Sequence, residues 1–266
     1  MTAPRPDVSV VVPALNEEAR LRPTLDEIVE YFHRVDRSFE VIVVDDGSTD
    51  GTSALVRTLA ERAPEIRLIR LPENRGKGFA VRAGMVNALG RRLLFTDADG
   101  ATPIAELERL EAELDAGADL AVGSRAKPGH VRVVARWYRR AIGRLFHGLV
   151  RALTIRSVVD TQCGFKLFEA PVAQDLFSTM RMAGFAFDVE ILLMAEMRGY
   201  RIAEVPVNWT HIPGSRVNLA TDSLRMALDL FVIRGNALRG LYQSPNVALL
   251  EGRESRSPES GQARNA

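Results

Sequence analysis

The sequence predicts an α/β fold, a Rossmann-like, mostly parallel sheet flanked by helices, with a second half that carries amphipathic helices. Two observations lead to it. Apolar, β-branched runs without alternation, such as Val8 to Val12 and Val41 to Val44, are typical of strands buried on both faces. Such runs also alternate with stretches of helical period, and that order requires right-handed crossovers between parallel strands.

Taken in order, Val8 to Val12 is the first strand, ending at Pro13. Glu17 to Arg34 carries Leu21, Leu25, Ile28, Val29 and Phe32 on one helical stripe. Val41 to Val44 is the second strand, stopped by Asp45-Asp46-Gly47-Ser48. Thr52 to Ala63 reads as a helix capped by Ser48, Thr49 or Asp50. Ile66 to Leu71 is the third strand. Lys77 to Leu89 is a helix entered through Asn74-Arg75-Gly76. Arg92 to Thr96 is the fourth strand, and Pro103 to Ala116 is a helix with Pro103 suited to its first turn. Leu120 to Val122 is the fifth strand. Beyond it, Asp160 to Phe168 passes from turn to strand, Phe187 to Arg198 is helical, Ile202 to Trp209 is a strand, and Leu219 to Leu241 is a helix. Residues 251–266 are rich in Glu, Arg and Ser and are expected to be disordered.

Composition narrows the function. The chain has 266 residues, enough for a large core without staples. Lys and Arg number 35 against 34 Asp and Glu, a net charge of +1, and aromatics are 6%, so nucleic acid is not an expected partner. A single cysteine, Cys163, rules out an intramolecular disulfide and a cysteine-based zinc site. No uncharged apolar run approaches the ~18 residues of a membrane span, and Met1 to Asp7 lacks the apolar core of a secretory signal. These facts favour a cytoplasmic protein without its own membrane span.

In such sheets ligands collect at the carboxyl ends of the strands. The segments Pro13 to Glu17, Asp45 to Ser48 and Asp97 to Asp99 all fall on that edge. Asp97 and Asp99 stand two apart, so an extended backbone puts both carboxylates on one side and turns Ala98 away. Two hard oxygen ligands suit Mg²⁺ or Mn²⁺ that also grips phosphates, although the same spacing fits a solvated turn. A carboxylate of Asp45 or Asp46 can accept ring N–H groups of uracil or guanine, or close the strand in a capping turn. Asn74 to Gly78 brings a cation and two glycines to a helix start, a geometry friendly to anions. The Walker A and Gly-x-Gly-x-x-Gly patterns are absent, which disfavours a plain NTPase or NAD enzyme.

Between Arg125 and Arg156 the chain has nine Lys and Arg and no acid. Arg132, Arg136, Arg140 and Arg144 repeat at i+4 beside an apolar stripe, as in a helix at a membrane surface or one with a solvated basic face. Leu224, Leu228, Phe231 and Leu238 repeat the pattern, with Arg225, Arg234 and Arg239 available for the border. The four histidines share no metal-ligand spacing, and Cys163 reads as a packed thiol.

Val10 to Glu17, Val43 to Thr52 and Phe95 to Gly100 together resemble the family 2 glycosyltransferases of GT-A fold. Gly123 to Arg125, Asp160 to Phe168, Phe185 to Glu190 and Val207 to Thr210 are similar to the dolichyl-phosphate β-glucosyltransferases, close relatives of the dolichyl-phosphate mannose synthases. The resemblance covers roughly residues 7 to 240. It implies one GT-A domain over 1–250, with a nucleotide-sugar half at 7–124 and an acceptor half at 125–243. The implied reaction is inverting transfer of a hexose, glucose from UDP-glucose first, to a polyprenyl or dolichyl phosphate. Pro13, Ala14, Glu17 and Asp45 would hold the nucleoside, and Asn16, Asp46, Ser48, Lys77 and Ala98 complete the expected donor site. Asp97 would lie near ribose and metal, and Asp99 would be the main ligand of Mg²⁺ or Mn²⁺. Arg125 would face the reacting phosphate, with Arg136 and Arg140 as clamps on the lipid phosphate. Asp160, Gln162, Gly164 and Phe165 are expected in the acceptor and sugar pocket. Asp188 would contact sugar hydroxyls or act as a base for an alcohol acceptor. Mannose synthases carry a polar residue where this chain has Ala101, which leaves the third metal ligand open. The eukaryotic glucosyltransferases begin with a membrane anchor not seen here, so peripheral attachment at the inner face of the membrane is expected through the amphipathic helices. Alternatives are a GDP-mannose-dependent synthase, a transferase with a soluble acceptor, and a non-catalytic nucleotide-sugar binding protein.

Overall fold

The computed structural model describes residues 5–125, 148, 150, 154–155, 157–210, 212 and 219–243. Seven strands form one sheet: β1 (Val8–Ala14), β2 (Phe39–Asp45), β3 (Ile66–Arg70), β4 (Arg92–Thr96), β5 (Leu120–Ser124), β6 (Phe165–Glu169) and β7 (Ile202–Pro206). Their order is β3-β2-β1-β4-β6-β5-β7. β1 pairs in parallel with β2 and β4, β2 with β3, and β5 with β7. β6 runs antiparallel to both β4 and β5. The chain steps outward from β1 through β2 to β3, then returns to the other side of β1 as β4. That reversal opens a crevice beyond the carboxyl ends of β1 and β4.

The helices bounded among the described residues are α1 (Leu21–Arg34), α2 (Thr52–Ala60), α3 (Lys77–Val86), α4 (Leu107–Asp115), α5 (Ala170–Thr179), α6 (Phe187–Met197) and α7 (Leu219–Leu238). Alternate strand residues serve opposite faces. Val8, Val10 and Val12 pack with α1, α2 and α4, while Val11, Ile42 and Val44 pack with α3, α5, α6 and α7. Both faces are therefore dry, which is why the strands read as unbroken apolar runs.

Several boundaries differ from expectation. α1 starts at Leu21 because Glu17 to Arg20 forms a turn, in which the Glu17 carbonyl accepts the N–H groups of Arg20 and Leu21. α2 is capped by Gly51 without a side-chain cap bond. Asp50 instead accepts the Thr52 N–H and hydroxyl just outside the helix. The segment after Pro103 opens as a 3-10 turn, Ile104–Glu106, before α4. α5 was not expected, although Val172, Ala173, Leu176 and Phe177 follow helical spacing and Pro171 sits in its first turn. The basic run from Arg132 to Arg144 and the 251–266 tail lie outside the described residues.

Candidate active site

The loops after β1 and β2 are locked together. Asn16 adopts φ 54°, a left-handed conformation that Asn tolerates. Its N–H donates to the Ser48 hydroxyl at 2.7 Å and its side-chain oxygen accepts the Thr49 N–H at 2.8 Å. The Glu17 N–H donates to the Thr52 hydroxyl at 2.8 Å. Asn16 and Ser48, expected in the donor site, thus fasten its rim. Asp45 is fully buried and accepts the Ser48 N–H at 2.8 Å and the Ser53 hydroxyl. Asp46, its neighbour, reaches the cleft and accepts the N–H groups of Arg75 and Gly76 at 2.8 and 2.9 Å. Burial raises its pKa against the pull of those two bonds. The arrangement needs Gly76, whose φ is 99° and whose missing Cβ would lie 2.5 Å from the Ala183 carbonyl oxygen.

A cleft of about 430 Å³ opens where the β1 and β4 ends meet. Pro13, Ala14, Glu17, Asp46, Lys77, Asp97, Ala98 and Asp99 all line it, so eight of the expected donor-site and metal residues come together. Arg20 pairs with both Glu17 oxygens at 2.8 and 2.6 Å. Lys77 Nζ stands 2.6 Å from Asp97 Oδ1. Burial works against that ammonium, but the Asp97, Asp188 and Asp99 carboxylates hold its pKa above the ordinary lysine value. The carboxyl of Asp99 is pushed upward by burial and then by the nearby Asp97 charge. Two like charges confined together fit a divalent cation, which relieves their repulsion. Among the described residues no group of three His, Cys, Asp or Glu could hold a metal ion. Ala101 contributes only backbone here, donating its N–H to Asp99 Oδ1 at 3.1 Å. Phosphate and water oxygens would complete such a shell, the usual habit of Mg²⁺.

Gly164 is placed against the Asp97 carboxylate, which fills the space where a side chain would stand, and its carbonyl accepts the Asp97 N–H at 3.2 Å. At the end of β5, Arg125 is gripped by Asp160, with Nε and Nη2 at 2.8 and 2.9 Å from the two carboxylate oxygens. Burial would raise the Asp160 pKa, but Arg125 brings it below the ordinary value. The guanidinium also lies over the Trp209 ring, 5.6 Å from its centroid. Asp188 is buried in an ion pair with Lys166 at 2.5 Å and does not line the cleft. Phe165 is fully buried in β6, and Gln162 donates to the Met226 sulfur at 3.7 Å. Burial pushes the Cys163 thiol up to about 12, which keeps it inert as expected. Arg136 and Arg140 lie outside the described residues.

Sequence reasoning missed the far wall of the cleft. Gly184, Phe185 and the α7 residues Arg225, Met226 and Asp229 line it as well. Of these, the sequence offers only Arg225, as a border residue of the apolar face of α7; Met226 and Asp229 carry no local signal that points to a cleft.

The pattern of Glycosyl transferase family 2 matches residues 9–177, which include the first six strands, the acidic loops and Gly164. This chain belongs to glycosyl transferase family 2. Relatives of this chain include dolichyl-phosphate β-glucosyltransferase of Drosophila melanogaster, 40% identical over 92% of this chain and 79% of that protein. The Homo sapiens protein of the same name is 39% identical over 91% of this chain and 79% of its own length. Among solved structures, glucosyl-3-phosphoglycerate synthase of Mycobacterium tuberculosis in complex with UDP superposes with a TM-score of 0.66 at 24% identity. That match spans 86% of this chain and 80% of the synthase. A second structure of that synthase, holding Mn²⁺, UDP-glucose and phosphoglyceric acid, gives a TM-score of 0.65 at 23% identity, with 86% and 80% covered. At such identity these structures speak for the shared GT-A fold.

Proposed function

We propose that this family 2 enzyme transfers glucose from UDP-glucose to a polyprenyl or dolichyl phosphate, with inversion at the anomeric carbon. The observation that carries the reading is the 40% identity to a dolichyl-phosphate β-glucosyltransferase, which extends over 92% of the chain and so through both halves. The cleft supports it residue by residue. Pro13, Ala14, Glu17 and Asp46 wall the nucleoside. Asp97 and Asp99 would hold Mg²⁺ or Mn²⁺, which when bound offsets the charge on the departing diphosphate. Lys77, now on Asp97, adds a second cation within the same cleft.

The acceptor end needs charge and position more than proton transfer. A phosphate monoester has a second pKa near ~6 and is largely dianionic at pH 7, so it attacks without a strong base. The burial of Asp188 in an ion pair is compatible with that economy. Asp160 engages Nε and Nη2 of Arg125, which leaves Nη1 for an acceptor phosphate. Arg136 and Arg140 are further clamps in this reading. Leu228, Phe231 and Leu238 of α7 are 60%, 57% and 73% exposed, an apolar stripe suited to a lipid surface. No helix among the described residues is long and apolar enough to cross a membrane. In this reading the exposed stripe of α7 attaches the enzyme peripherally to the inner face of the membrane.

The test is a donor panel of UDP-glucose, UDP-galactose and GDP-mannose, each with a short polyprenyl phosphate and Mn²⁺ in detergent. UDP-glucose should give the product, and Asp99→Ala should abolish transfer. Full activity of that variant, or transfer from GDP-mannose alone, would overturn the assignment.

A further inference from the structure

The α7 wall of the cleft has no role in the reading above, and it holds a carboxylate in an unusual position. Glu17 is paired with Arg20, Asp46 with two backbone N–H groups, Asp97 with Lys77, and Asp99 accepts the Ala101 N–H. Asp229 lines the same cleft, is half-buried, and accepts no hydrogen bond among the described residues. Arg225, one turn earlier on α7, acts on it through space. Its Oδ2 stands 3.8 Å from where a side chain at position 184 would begin, so Gly184 keeps the carboxylate open to the cleft.

We infer that Asp229 accepts hydrogen bonds from the hydroxyl groups of a sugar ring in the bound nucleotide sugar, which makes α7 a wall of the donor site. This rests on the donor reading above. An ionised carboxylate is an acceptor only, so its partner must bring protons. The diphosphate brings none and repels it, whereas the hexose and the ribose both present hydroxyls. Burial pushes the Asp229 carboxyl above its ordinary value, and Arg225 pulls it back toward the ionised form.

The sign of the effect separates this from simple electrostatics. Removing a negative charge beside an anionic ligand should tighten binding if the carboxylate makes no contact. If it holds hydroxyls, removal should weaken binding by roughly 10- to 100-fold. The experiment is calorimetric titration of the full chain and of Asp229→Asn and Asp229→Ala with UDP-glucose and with UDP, in Mn²⁺, together with thermal melts. The expected result is weaker UDP-glucose binding at an unchanged melting temperature. Loss confined to UDP-glucose assigns the contact to the hexose, and loss shared with UDP assigns it to the ribose. Unchanged or tighter binding overturns the inference, as does a melting temperature that falls with the affinity. Failure of the unaltered protein to bind UDP-glucose is a separate result, which removes the donor reading and this inference with it.

Discussion

Gly164 shows how much of this site depends on a group that is not there. The Asp97 carboxylate occupies the space its side chain would need, so Gly164→Ala must displace that carboxylate. Displacing a group that orients a metal ligand typically lowers metal affinity by roughly 10- to 100-fold. We expect that loss in Mn²⁺-dependent UDP binding by calorimetry, with the circular dichroism spectrum unchanged. Asp160 makes a second residue-scale case. Its folded pKa is lowered, so its pairing with Arg125 contributes stability that is fully present above the unfolded value of about 3.9 and is lost as pH falls through the lower folded value. Arg125→Gln should therefore destabilise the protein by about 2–3 kcal/mol at neutral pH, less than a fully buried pair because the arginine is partly exposed. In urea melts the gap between the variant and the parent should hold steady from about pH 8 to 5 and narrow below about pH 4.

At the scale of elements, α7 carries two apolar faces and one polar edge. Met226, Leu230 and Ile233 are buried at spacings of four and three, the stripe a helix uses to reach a core. Leu228, Phe231, Val232 and Leu238 form the other face and remain exposed. Arg225 and Asp229 stand between them and turn toward the cleft. Changing the outer face should therefore separate lipid contact from donor binding. Leu228→Glu with Phe231→Glu is expected to abolish co-sedimentation with phosphatidylglycerol vesicles while leaving the UDP affinity within about twofold, since exposed substitutions away from a site seldom propagate. Equal sedimentation of the variant and the parent would refute a lipid-facing role. The loops after β1 and β2 have a different logic. Asn16, Ser48 and Thr52 join them through hydrogen bonds, so Pro13 to Glu17 and Asp46 present one fixed rim.

Across the whole molecule, the run from Asp160 to Phe168 ties the site to the fold. Asp160 holds Arg125, Gln162 meets Met226 of α7, Gly164 seats Asp97, and Lys166 reaches Asp188 of α6. The Lys166–Asp188 pair is fully enclosed, with the ammonium also donating to the Cys163 carbonyl at 2.7 Å and lying near the Phe95 ring. Breaking a buried pair from one side strands a charge and costs about 3–5 kcal/mol, whereas replacing both partners by apolar groups is often neutral. Asp188→Asn should thus lower the urea midpoint sharply, and Lys166→Met with Asp188→Leu should restore much of it. The strands, their order of alternation with helices and the acidic motifs were legible in the sequence, because dry parallel strands and strand-end carboxylates leave local patterns. So was membership of the glycosyltransferase family. What the sequence by itself determined was thus the layered α/β architecture and the placing of Asp97 and Asp99 just beyond the carboxyl end of β4. Tertiary structure alone decided that Asp45 lies beneath the rim while Asp46 reaches the cleft, that Asp188 faces Lys166, and that α7 turns Asp229 toward the cleft. Those outcomes depend on which partner arrives from far along the chain, and burial and pairing between distant segments leave no periodic trace in the order of residues.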